Sequence, residues 1–210
     1  MASVVVKPRR KPSQSRAWMT SIAIQDAFLL LLVERGYAKT TMREIATLAG
    51  VGLGTLYLYF PGKESIAAVT IRTRLRKLTT TLAAAAGAAV PATLAQVVHA
   101  LAAVQVRTLC AEPDAWRALL FLERRISAPG TYRAGYMEYV DVYRDAFAAA
   151  SDWPAGLEAG PIALQAFAIV DGMTQQALLV QDTVPEADAL LADVESAVAG
   201  YLRSVCSGGE

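Results

Sequence analysis

Residues 40–64, TTMREIATLAGVGLGTLYLYFPGKE, read as a helix, a glycine turn and a second short helix, and this run constrains the chain more than any other. Thr41 suits an N-cap, since its hydroxyl can accept from the free amides of the next turn, and Glu44 completes a capping box. Met42, Ile45, Ala46 and Ala49 recur at helical spacing, and the small alanines let a following helix cross closely. Gly50 stands where a helix stops with positive φ, which glycine tolerates best. Val51 can fill the gap between the helices. The second helix is expected from about Leu53 to Phe60, with Leu56 and Phe60 inward and Thr55, Tyr57, Leu58 and Tyr59 left outside or at the edges. Pro61 and Gly62 end it, and Lys63 opens the next helix. A lysine there opposes the macrodipole, and a bound phosphate would relieve the conflict. Two helices joined this way form a helix-turn-helix, whose second helix can enter a DNA major groove.

The run AFLLLLVERGY from Ala27 to Tyr37, then TTMREIA, AGV, GTLYLYF and PGKE, follow in the order of the tetracycline-repressor (TetR) family of transcriptional regulators. The chain resembles that family closely over about residues 16–70; beyond residue 70 only length and helical pattern agree. The resemblance implies that Thr41 binds phosphate and that Arg43 reaches a base edge or the backbone. It also implies that Gly54 and Thr55 lie close to the groove, that Tyr57 and Tyr59 contact phosphates, and that Lys63 closes the grip. Two positions depart from the family pattern. Gly52 stands where a capping serine is common, so the recognition helix starts less rigidly. Leu53 stands where a polar base-reader is frequent, and would touch thymine methyls instead.

Charge agrees with an anion-binding end. Residues 1–78 hold 13 Lys and Arg against 4 Asp and Glu, whereas residues 79–210 hold 7 against 15, although the whole chain nets only +1. Phosphate contacts supply much of DNA affinity, so a basic N-terminal third is what double-stranded DNA as a partner requires. Three regions follow: a basic, proline-broken arm over 1–15, a helix-turn-helix domain over 16–78, and a second domain over 79–210. The arm reads either as a solvated tail or as a segment that folds over DNA. The first helix is expected over about Arg16–Arg35, with Ile22, Ala23, Ala27, Leu30 and Leu31 inward and Gly36 stopping it.

Downstream, proline and glycine divide the chain into helices near 92–110, 113–126, 131–150, 161–181 and 186–205, after a fourth helix running from Lys63 into the low 80s. No run alternates with period two, so the class is all-α with about nine helices. The uncharged stretch Leu78–Val106 is long enough to span a bilayer, but Gly87, Pro91, Gln96 and His99 interrupt it, which favours a soluble helical hairpin in a cytoplasmic protein without a membrane partner. Cys110 is expected as a buried thiol and Cys206 as an exposed one; neither has metal spacing.

The segment 161–181 is apolar on more than one face, at Leu164, Phe167, Ala168, Met173, Ala177 and Leu178. Either the domain core covers it, or a two-fold partner does. The resemblance favours a homodimer through about residues 161–205, with Asp171-Gly172 where the family often carries that pair. Aromatics between 92 and 150, with a few polar groups, suit either a core or a small-molecule cavity. The effector-binding candidates are His99, Arg107, Trp116, Phe121, Tyr136, Tyr139 and Gln175. One histidine, no nucleophile elbow, no phosphate loop and no metal cluster leave no catalytic set, so neither cofactor nor metal is expected. The expected function is a ligand-responsive regulator, most readily a repressor, released from a pseudo-palindromic operator by an apolar effector. The alternative is an architectural DNA-binding protein that needs no effector.

Overall fold

The computed structural model describes residues 12–88, 91–181 and 183–206, with side chains from residue 16. Among them are nine helices and no strand: α1 (Pro12–Lys39), α2 (Met42–Leu48), α3 (Leu53–Tyr59), α4 (Lys63–Ala88), α5 (Leu94–Ala111), α6 (Pro113–Ile126), α7 (Pro129–Ala148), α8 (Ala159–Leu179) and α9 (Ala187–Cys206). The class is all-α. The basic arm lies outside the described residues as far as Lys11, and from Pro12 the chain is already helical. Two compact units divide between Thr70 and Ile71, inside α4 and ahead of the boundary expected at residue 78.

In the first unit, α1 packs on α2 and α2 on α3. The inner stripe of α1 is Ile24, Ala27, Phe28, Leu31 and Leu32, all buried. This corrects the expected face: Leu30 is 62% exposed, while Ile22 and Ala23 are only half-buried. The run Ala27–Val33 is apolar throughout, so spacing alone leaves the phase free, and burying Phe28 decides it. Gly36 breaks the helix with φ 77°, and one more turn runs on to Lys39. Thr41 and Glu44 make the capping box in both directions, and Gly50 carries the turn at φ 68°. Leu56 and Phe60 are buried as expected.

The second unit is built around α8, which packs on α7 and α9 and also on α5 and α6. Phe167 is its centre. Tyr139 stacks on that ring at 5.3 Å with an interplanar angle of 4°, Tyr136 meets it edge-on at 4.8 Å, and Tyr143 lies at 5.4 Å. The apolar character of α8 is thus largely accounted for inside its own unit. Arg16–Lys39 and Leu94–Ala111 are long and apolar enough to cross a membrane; α5 instead buries Val98, Leu101, Ala102, Val106 and Leu109 in the core of its unit. The stretch Leu78–Val106 is shared between α4 and α5. Both cysteines are free and half-buried, so Cys206 is less exposed than expected, being the last residue of α9.

Phe167 touches three tyrosines and is 2% exposed. Phe167→Ala is expected to destabilise the chain by roughly 3–5 kcal/mol in urea unfolding, from lost transfer energy plus the cavity left behind.

Candidate nucleic-acid interface and internal cavity

Helix α3 has two contrasting sides. Leu56 is fully buried, whereas Leu53, Gly54, Thr55, Tyr57, Leu58 and Tyr59 are exposed, Leu58 at 86%. A Cβ built on Gly54 meets nothing within 4 Å, so glycine there is not demanded by the unit's own packing and leaves a flat spot on the exposed side. The α3 N-cap is Gly52, with no side-chain capping bond, so the first turn of this helix has free amides. Its start is held by backbone instead: Val51 N–H donates to the Ala46 carbonyl at 2.9 Å, and Gly50 N–H to the Thr47 carbonyl at 3.2 Å.

The charged groups around it are partly committed. Arg35 donates to Glu44 Oε1 at 2.6 Å, and Glu44 also accepts from Thr41. Bonds from the Thr41 side chain and backbone, then the Arg35 charge, hold the Glu44 carboxyl below its ordinary range. Lys63 turns back to the end of α1: its Nζ donates to the Tyr37 carbonyl at 2.7 Å and the Thr40 carbonyl at 2.9 Å, and stands 4.4 Å over the Tyr37 ring. The conflict between a lysine and a helix N-terminus is therefore relieved internally, by two carbonyls. Thr41 and Arg43 are exposed, and Arg43 makes no ion pair among the described residues.

In the second unit, α4 to α8 enclose a cavity of about 40 Å³, room for a few waters. Leu75, Leu78 and Leu109 supply apolar wall; Trp116, Tyr132, Tyr136, Tyr139 and Phe167 supply aromatic wall. Asp171 keeps part of its surface exposed, but its carboxylate faces inward. Gln175 Nε2 donates to both its oxygens at 2.8 Å, Gln105 Nε2 to Oδ1 at 3.1 Å, and Arg124 in turn to Gln175 Oε1 at 2.5 Å. Burial pushes the Asp171 carboxyl up, while the Gln175 bond and the Arg124 charge pull it down less strongly. Burial and then the Asp171 charge raise Glu123 likewise, and push Tyr136 up to about 12.

Of the effector candidates, Trp116, Tyr136, Tyr139 and Gln175 line this cavity, and His99, Arg107 and Phe121 do not. His99 Nδ1 lies 2.5 Å from Glu195 Oε1, in a separate groove of about 470 Å³ between α5 and α9. Arg107 pairs with Asp188 at 3.1 Å. It stands two residues from Gln105, and positions two apart on a helix face nearly opposite ways. Phe121 is 56% exposed on the outer side of α6.

Residues 24–69 match the family described as bacterial regulatory proteins, tetR family. That segment is a TetR-family domain. Its fold is similar to that of the fatty acid degradation regulator FadR from Bacillus halodurans, with TM-score 0.72 and 18% identity over 93% of this chain and 99% of that one. It is also similar to SmeT, the repressor of the Stenotrophomonas maltophilia multidrug efflux pump SmeDEF, with TM-score 0.65 and 22% identity over 89% and 91%. NalD, the secondary repressor of the MexAB-OprM multidrug efflux pump in Pseudomonas aeruginosa, aligns with TM-score 0.62 and 18% identity over 88% and 97%. No curated protein matches the chain. These likenesses give the fold, and the N-terminal match makes the first unit a TetR-type helix-turn-helix DNA-binding domain of a transcription regulator.

In the second unit, Gln105 and Arg124 were not among the expected site residues, and Asp171 was given no part in a cavity. A lone glutamine inside the apolar run Leu101–Val106 was the available signal. Two outcomes check the geometry. Lys63→Ala is expected to lower stability in the absence of DNA by roughly 1.5–3 kcal/mol, the scale of bonds made by a charged donor, with Lys63→Arg recovering only part. Asp171→Asn is expected to raise the melting temperature at neutral pH, because the folded state holds that carboxyl above its ordinary range. A raised carboxyl loses stability as pH rises from the unfolded value through the folded one. The advantage of Asp171→Asn should therefore vanish on acidification, and thermal melts at pH 4 and pH 7 compare the two.

Proposed function

We propose that the chain is a homodimeric, ligand-responsive transcriptional repressor that binds pseudo-palindromic double-stranded DNA in the cytoplasm and is released by a small effector. The observation that carries this is the two-sided α3: one buried anchor, Leu56, and an exposed row of Leu53, Gly54, Thr55, Tyr57 and Tyr59. Thr41 and Arg43, exposed at the start of α2, are proposed as phosphate and base or backbone contacts. Tyr57 and Tyr59 offer hydroxyls to phosphates, and Leu53 a methyl contact to thymine. Lys63 serves this surface chiefly by bracing α1 against the first turn of α4, since two of its three N–H directions are taken.

Dimerisation is assigned to α8 and α9. On α8, Ile169 and Met173 touch the core yet stay half-exposed, and Val180 just past its end is exposed; outward positions of α9 include Ala189, Ala192, Ser196 and half-exposed Gly200. Apolar and small groups at helical spacing suit a close two-fold helix contact, and two-fold symmetry presents two reading heads to one site. Effector binding would shift the population toward a conformation that fits DNA poorly. Helix α4 is the proposed lever, because Leu75 and Leu78 line the cavity and the Leu75 carbonyl accepts from the Tyr139 hydroxyl at 3.0 Å.

One observation favours a second reading, an architectural DNA-binding protein without effector: about 40 Å³ is far below a drug-sized site. A thermal-shift screen separates the two; a compound that stabilises the protein and weakens its hold on DNA excludes the second. For the DNA contacts, duplexes selected from a random pool supply the target. Arg43→Ala is expected to cost roughly 1–3 kcal/mol there and to relax preference at one base position. Equal losses on selected and random duplexes would make Arg43 a phosphate clamp. Binding no tighter to any selected duplex than to random DNA, with a monomer by sedimentation, would overturn the proposal.

A further inference from the structure

The cavity of the second unit has a chemical bias that its apolar walls conceal. Its lining includes two carboxylates, Asp171 and Glu123, and no Lys, Arg or His. Asp171 has amide donors but no cation within ion-pair distance among the described residues; Arg124, exposed on α6, bonds to Gln175 and to Tyr132 and acts on Asp171 through its charge alone. An amide facing a carboxylate must present its N–H, so Gln105 is fixed with Oε1 turned away from Asp171. That oxygen is buried without a partner, in a residue only 2% exposed. Trp116, 3% exposed, likewise has a buried Nε1–H with no partner. Unpaired buried polar atoms are costly and rare, and two of them belong to residues that line this one small cavity, which marks it as a place to be filled.

The inventory dictates the occupant. Two carboxylates and an amide oxygen accept hydrogen bonds; the faces of Tyr132, Tyr136 and Trp116 attract positive charge. A carboxylic acid or phosphate would meet like charge, and the donors it would find are neutral ones, the Trp116 indole N–H and the hydroxyls of Tyr132 and Tyr136. We propose that this cavity binds an organic cation, a protonated amine or amidine carried on an aromatic or apolar body. The nitrogen would donate to Asp171 and Gln105 Oε1, with Glu123 balancing its charge, and the body would lie among the tyrosines. The present volume admits a head group of that size, and half-buried Tyr132 and Tyr136 must turn aside for the body. This rests on the reading of the cavity as the effector site, and it puts a cation on an apolar body where the sequence led to the expectation of an apolar effector.

Three probes of one shape test it: phenethylamine, 2-phenylethanol and phenylacetate, titrated calorimetrically and by thermal shift against the full chain at neutral pH. The amine is expected to bind roughly tenfold or more tightly than the alcohol, the margin between a charge-assisted and a neutral hydrogen bond. Asp171→Asn should erase that margin, the amine losing far more affinity than the alcohol, and Glu123→Gln should reduce it; the second variant decides the matter if the first does not fold. Equal or tighter binding of the alcohol or the acid, or no binding by any of the three, would overturn the inference. Release of a selected duplex is measured with the same probes. Release by the alcohol or acid but not the amine leaves the regulator standing and removes the cation. Asp171-dependent amine binding without release keeps the cation site and removes its effector role.

Discussion

A helix of seven residues is well short of the length at which helices persist alone in water, so α3 depends on the burial of Leu56 and of Phe60 just past its end. That single constraint orders the rest of the first unit. The buried pair fixes the rotation of α3, and rotation decides which residues the solvent meets. Gly50 permits it, because the turn needs φ of 68° and a side chain there would be strained. Ala46 accepts the Val51 amide, closing the turn where no capping side chain is present. Exposure of Thr55, Tyr57 and Tyr59 is then a consequence of packing.

Charge in the first unit divides into two kinds. Arg35, Glu44 and Lys63 hold the scaffold: the capping box ties Thr41 to Glu44, Arg35 neutralises that carboxylate, and Lys63 satisfies carbonyls where α1 ends. Arg43 is left without such a task. Basic composition therefore overstates what is available to an anion, since a cation bound to two carbonyls is partly spent. The salt dependence of DNA binding reports only cations that displace counterions from phosphate.

The helices were legible because proline and glycine mark their ends with physical force: Pro113 and Pro129 stand at the first positions of α6 and α7, and Thr41 caps α2 as its spacing with Glu44 requires. Phase was legible only where polar residues interrupt the apolar ones. Leu56 and Phe60 stand four apart between tyrosines and a threonine that carry hydroxyls, and could be assigned; Leu30 stands in a run of leucines and could not. The cavity was half legible for a related reason. Aromatic residues on α6 and α7 announce an apolar wall, and Trp116, Tyr136 and Tyr139 do meet there. Its polar floor comes from single residues on α5 and α8, brought together over 66 positions of sequence, and no local pattern records that meeting. His99 and Arg107 drew attention as polar groups on apolar helices; they stand away from this cavity, His99 against Glu195 and Arg107 in a surface ion pair with Asp188.

The second unit contains a contradiction of packing rules, and contradictions of this kind concentrate where function overrides stability. A carboxylate withdrawn from water costs free energy that two amide bonds return only in part. Leucine at residue 171 would relieve that cost, and Gln105 would lose its reason to be polar. The polar set instead sits at a cavity edge beside the stacked pair Tyr139–Phe167, and the Tyr139 hydroxyl is bonded to the backbone of α4 at Leu75. Any occupant that moves that ring must break or redirect the bond to α4, whereas an occupant that leaves the ring in place has no means of acting on the helix. Differential contact of this sort, and not occupancy alone, is what a ligand needs to shift a conformational equilibrium.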